Sequence, residues 1–102
     1  MNSYVVNLYP KPNGTNLGQN LTVPGTVVSF TNDFDYKTDV VLVSVQTAPV
    51  FVTHDGSTPS STNGHLLPIG YTDFWSKGRA IAAKFIRNGA TSAVINLSQF
   101  TT

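Results

Sequence analysis

Two imidazoles and a carboxylate gather around one stretch of this chain, His54-Asp55 at its start and His65 at its end. Such residues can ligate a metal, or act as a base and its orienting carboxylate beside Ser57. A metal needs three or four ligands, and the next carboxylate along the chain is Asp73. The spacing fits better with a loop, Asp55 to Gly64 (DGSTPSSTNG), whose ends are tied by His and Asx hydrogen bonds to the backbone. Asp33, Asp35 and Asp39 lie as close together as carboxylates of a calcium loop. Their segment NDFDYKTD lacks the central Gly, and the chain has no Glu to close such a site, so they read as turn residues. Gly56, Gly64 and Gly70 do not have phosphate-loop spacing. With no Cys, thiolate nucleophiles, thiolate zinc sites and disulfides are excluded. These residues predict no enzyme, no metal and no cofactor.

The elements that would position them are β-strands. Thr (13), Val (12), Ser (9) and Asn (9) dominate the 102 residues, against four Lys and two Arg. Thr and Val fit a pleated surface, and Asn, Ser and Gly supply turns. Leu, Ile, Val and Phe number 29, enough for one core. Charged residues make up only 11% and the net charge is +1. That removes the electrostatic case for nucleic acid or anionic lipid, and no run of residues is long and apolar enough to span a bilayer. Sparse charge also leaves sheet edges and faces poorly protected, which suits a surface covered by hydroxyls and amides or by partners. Met1-Asn2-Ser3-Tyr4 lacks the basic start of an export signal, so none is expected. By the same reading, the triplets at Asn13, Asn20 and Asn96 are not glycosylation sites.

Along the chain, Ser3 to Tyr9 reads as a strand stopped by Pro10 and Pro12, with a loop over Lys11 to Gln19. Leu21 to Val23 and Thr26 to Phe30 read as a second strand interrupted at Pro24-Gly25. Thr38 to Gln46 (TDVVLVSVQ) is apolar on both faces, so it belongs at the centre of a sheet or under a partner. Val50 to Thr53 reads as its continuation or hairpin mate, and His65-Leu66-Leu67 as a brief strand. Ala80 to Arg87 and Thr91 to Leu97 flank Asn88-Gly89, the signal of a type I′ hairpin. A helix over Ala80 to Ile86 competes with the first of these strands, and the strand is preferred. The whole predicts an all-β, single-domain antiparallel β-sandwich over 1–102, immunoglobulin-like or jelly-roll-like, with about seven or eight short strands.

Large aromatics between turn signals are candidates for contact with a partner. Tyr71, Phe74 and Trp75 stand out, with Phe34 and Tyr36 in the turn TNDFDYK and His65 beside the long loop. Tyr71, Phe74 and Trp75 could equally plug one end of the sandwich. Lys77 and Arg79 are too few for a single-strand nucleic-acid groove.

Two stretches, VFVTHDGSTPSSTNGHLL (Val50 to Leu67) and AAKFIRNGATSAVINLS (Ala82 to Ser98), resemble segments of small β-sandwich structural proteins of tailed-bacteriophage virions. The matching segments are Asp55 to Pro59, Asn63-Gly64-His65 and Phe85-Ile86-Arg87, and they lie within about a third of the chain. The resemblance implies a capsid cement or decoration protein bound to the major capsid protein in many copies on a lattice. It places the chain in the virion, assembled in the host cytoplasm, and it carries over no catalytic residues. A neck, tail or fibre-base component bound to other virion proteins is the neighbouring alternative. A carbohydrate-binding sandwich using Trp75, Tyr71 and the Asp55 loop is a more distant one.

Overall fold

The computed structural model describes residues 9–10, 18–31 and 34–101. Within these described residues eight strands build two sheets facing each other, with one short helix. The strands are β1 (Tyr9–Pro10), β2 (Gly18–Val23), β3 (Val40–Gln46), β4 (Val50–Thr53), β5 (His65–Leu67), β6 (Thr72–Ser76), β7 (Lys84–Arg87) and β8 (Ala93–Thr101), with helix α1 (Lys77–Ala82) after β6. The large sheet runs β1-β8-β3-β6, with β2 also pairing β8, and the small sheet runs β5-β4-β7. Every pairing is antiparallel. No two strands side by side in the large sheet are neighbours in sequence, apart from the shared attachment of β1 and β2 to one strand.

Strand alternation makes the core. Val41, Val43 and Val45 of β3, Ile95 and Leu97 of β8, and Val23 of β2 point inward and are buried. They meet Val50 and Val52 of β4, Leu67 of β5 and Phe85 of β7 from the small sheet. The stacked rings of Trp75 and Phe85, with centroids 6.2 Å apart, join the sheets, and Phe30 packs edge-on against Phe85. One buried polar side chain is an anchor. Gln99 Oε1 accepts from the Asp35 amide (3.0 Å) and from the Thr38 hydroxyl (2.6 Å), fixing the turn that leads into β3.

Several expectations are corrected. β3 lies centrally as read, but β4 neither continues it nor pairs with it; the chain leaves the large sheet for the small one between them. That crossing is a γ-turn, with the Ala48 amide bonded to the Gln46 carbonyl (2.9 Å) and Thr47 at φ 78°. The stretch after Pro24-Gly25 likewise changes sheets. β2 starts at Gly18, inside the expected loop, and ends at Val23; beyond it Val28 bridges to Phe85 and covers the outer edge of β7. Pro10 still pairs with Phe100, and Ser3 to Leu8 lie outside the described residues.

The predicted strand Ala80 to Arg87 is a helix followed by a strand. Ser76 is extended, and its hydroxyl accepts from the Arg79 amide (3.1 Å), satisfying a donor at the helix start. Ala80 and Ala82 favour the turn that follows, and Ala83 is extended again. The expected hairpin at Asn88-Gly89 is absent, because β7 pairs with β4 whereas β8 pairs with β2, β1 and β3. Gly89 does take the positive φ that the pair favours (101°), but the turn joins two sheets.

Two backbone positions give a test. Gly64 has φ 111°, and a Cβ there would collide with the Val52 carbonyl oxygen, whereas Gly56 at φ 86° faces open space. Gly64→Ala should cost about 2–4 kcal/mol in chemical denaturation, and Gly56→Ala only about 1. Equal costs would mean that the close packing of Gly64 against β4 is wrong. Thr47→Gly relieves the strain of a branched residue at positive φ and should stabilise by about 1 kcal/mol, despite the added freedom of the unfolded chain.

Candidate functional site

Two surfaces hold the residues singled out by sequence. One surrounds His54. The loop following β4 is built by its own side chains: Asp55 accepts from the amide and hydroxyl of Ser57, and Asn63 donates to Ser57 Oγ (3.0 Å) and to the Thr58 carbonyl (2.8 Å). This is the Asx-tied loop expected from sequence. Thr53, His54, Asp55, Asn63, Gly64 and His65 line an open cleft of about 350 Å³. Among the described residues, no three His, Cys, Asp or Glu side chains stand close enough to hold a metal ion.

His54 is held more by Trp75 and Arg79 than by its neighbours in the loop. Its ring meets the Trp75 ring edge-on at 5.0 Å, and its Nε2 accepts from Arg79 Nε at 3.3 Å. Nδ1 is buried without a hydrogen-bond partner. The Arg79 guanidinium lies over the Trp75 ring, 4.3 Å from its centroid. Burial, and after it the positive charge of Arg79, hold the His54 pKa below its ordinary value of 6.5, with a smaller push in the same direction from His65 and an opposing pull from Asp55. Hydrogen bonds from Ser57 hold the exposed Asp55 carboxyl below the usual carboxylate range.

The other surface is the outer face of the large sheet. Its middle is apolar: Val40 and Leu42 on β3 are flanked by Phe74 on β6 and Phe100 on β8, whose rings meet at 6.0 Å. Around them the pairing register places Ser44, Thr72, Ser76, Asn96 and Ser98, and then Asn20 and Thr22 on β2. None of the residues that this register sets on the outer face carries a charge. Across the sandwich, Leu66, Phe51 and Ile86 stand directly opposite one another on β5, β4 and β7, forming a second apolar row.

The candidate contact residues therefore separate. Trp75 is 1% exposed and is a core residue, because the pairing of β6 with β3 turns it inward and Phe74 outward. Phe74 is 46% exposed. Tyr71 is half-buried; its hydroxyl accepts from Trp75 Nε1 (2.9 Å) and donates to Asp73 (3.4 Å), so it serves to hold the indole. Phe34 packs against the core, Tyr36 is 82% exposed with the Lys37 ammonium over its ring, and His65 is exposed on the cleft. Asp35 caps its own turn, accepting from the Lys37 amide, and Asp33 lies outside the described residues. Sequence reasoning missed Leu42 and Phe100 as surface residues, although the doubly apolar β3 was their signal. It also missed the partnership of Arg79 with His54, which are 25 residues apart.

No family model, no curated protein and no solved structure matches the chain. Among the described residues, no helix is long and apolar enough to cross a membrane.

The environment of His54 sets the sign of a pH effect. With the folded pKa below the unfolded one, the unfolded chain takes up the proton first as pH falls. Stability is full above about pH 6.5 and declines as pH drops through the folded pKa. Arg79, His65 and Asp55 are the charged or titratable groups acting on the ring. Thermal melts between pH 7.5 and 5 should show this decline, flattened in His54→Gln and kept in His65→Gln. An undiminished slope in His54→Gln would assign the effect elsewhere.

Proposed function

We propose that this chain is a non-enzymatic virion structural protein of tailed bacteriophages, a cement or decoration subunit that binds over the capsid lattice in many copies. The observation that carries the reading is the uncharged outer face of the large sheet, with Phe74, Phe100, Leu42 and Val40 at its centre. Apolar side chains ringed by polar ones mark contact surfaces, and a face without charge can be buried without desolvating an ion. The resemblance of the Val50 to Leu67 and Ala82 to Ser98 segments to virion β-sandwich proteins supplies the kind of assembly.

Size supports attachment in numbers. From the spacing and rise of strands, a four-strand face of this length covers roughly 400 Å², about half the ~800 Å² that each partner buries in a stable pairwise complex. One such contact is weak alone. The row Leu66, Phe51 and Ile86 offers a second contact on the opposite side, so one subunit can touch two neighbours, and weak contacts add when geometry lets them form together. A neck or tail position would use the same face at a lower copy number. The carbohydrate reading loses its platform, because Trp75 lies in the core.

The experiment is add-back. Particles lacking the protein are mixed with it, and binding and the temperature of genome release are followed. Saturation at lattice stoichiometry with a raised release temperature is expected. Phe74→Ser should weaken rebinding about tenfold while shifting the melting temperature of the free protein only slightly. Trp75→Ala should cost about 3–5 kcal/mol of fold stability. Absence of rebinding by the folded protein would remove the cement role, and saturation at six or twelve copies would move it to the neck or tail.

A further inference from the structure

Among the cations described, Arg79 is held in a distinctive way. Its guanidinium is stacked on Trp75, which is itself locked in the core by the Phe85 ring and by the Tyr71 hydroxyl. Its Nε–H is taken by His54 Nε2. The side chain is exposed, and among the described residues no carboxylate closes an ion pair with it. A stacked arginine with Nε already bonded has lost most of its rotamer freedom, and its two Nη groups still present a planar fork. That is the geometry for taking both oxygens of one oxyanion, with the ordering cost already met by the fold.

The charge around the fork sets the kind of anion. Asp55 brings a negative charge to the cleft beside His54, the His54 ring, its pKa held below 6.5, is neutral at pH 7.5, and the Lys84 ammonium donates to the Gly56 carbonyl (2.9 Å). Arg79 and Asp55 both act electrostatically on His54, and a guanidinium with a carboxylate in the same neighbourhood suits a planar monoanion better than a dianionic phosphate. We propose that Arg79, positioned by Trp75 and His54, is a preformed docking site for a carboxylate presented by a protein partner, an Asp or Glu side chain or a chain terminus. The source of that carboxylate rests on the docking role proposed above; the site itself does not. The neutral sheet face would then provide area, and Arg79 orientation. His54 is a positioning residue: protonating Nε2 would remove the acceptor for Nε–H and set two cations together.

The test has two arms, both on the full chain at pH 7.5. First, the isotopically labelled protein is titrated with sodium acetate at constant ionic strength, chloride being exchanged for acetate, and the Arg79 Nε–Hε signal is followed. A saturable shift is expected. Arg79→Lys keeps the charge without the fork, and Arg79→Met keeps an apolar stem over Trp75. With the Trp75 indole signal as reporter in these variants, the response should weaken about tenfold in the first and vanish in the second. A linear response, or an indole shift that persists in Arg79→Met, overturns the site, and tighter binding of inorganic phosphate overturns the monoanion assignment. Second, Arg79→Met and Lys84→Met are compared in particle rebinding, with melting curves confirming that both are folded. Rebinding at least tenfold weaker for Arg79→Met alone is expected, and unchanged rebinding overturns the partner-carboxylate role. If wild-type protein fails to rebind, the cement role falls, and the acetate arm still decides the site.

Discussion

The large sheet depends on one strand. β8 lies between β3 on one side and β1 and β2 on the other, so it supplies backbone partners to both. Its inward residues Ala93, Ile95 and Leu97 fill the core, and Gln99 fixes the turn before β3. Its outward residues include Phe100, half of the aromatic pair on the proposed contact face. Core, turn and surface are thus fixed by the same nine residues. Because β2 and β8 lie at opposite ends of the described chain, the contacts that form the sheet are nonlocal, and loop closure precedes most of the gain from burial.

The link between the sheets is aromatic. Trp75 enters from β6 and Phe85 from β7, and their stacking ties the sheets where α1 connects those strands. The same indole carries Arg79 on its ring and His54 at its edge. A core residue therefore also positions a surface cation. The outer edge of the neighbouring β6 is guarded in a simple way: Asp73 Oδ1 accepts from the Phe74 amide (2.8 Å), occupying a donor that another strand could have used.

Fold class was legible because Val and Thr dominate the composition, β3 is a run rich in Val and the turn formers cluster, and β4, β5 and the Asp55 loop could be placed from the same signals. Pairing was not legible. Asn88-Gly89 specifies a backbone angle, which Gly89 adopts, but whether the strands beside it pair with each other is decided by strands far away in sequence. For the same reason the aromatic triplet could not be assigned: only the register of β6 against Val41 and Leu42 turns Trp75 inward and Phe74 outward. A helix was weighed over Ala80 to Ile86 and set below a strand, whereas the helix lies at Lys77–Ala82 and the strand follows it. Ser76 and the alanines make a single capped turn and a half within a run that also suits a strand. Arg79 was legible only as one of two basic residues beside the aromatics, because its bond to His54 joins residues 25 apart in sequence.

The neutrality of the large sheet's outer face has a thermodynamic consequence. Contacts made through Val40, Leu42, Phe74 and Phe100 release water from apolar carbon and involve no ion pairs, so ionic screening barely touches them. Their driving force near room temperature is entropic and grows on warming, and their burial lowers the heat capacity. A contact made through such a surface would hold in dilute and concentrated salt alike, and would grip less firmly in the cold.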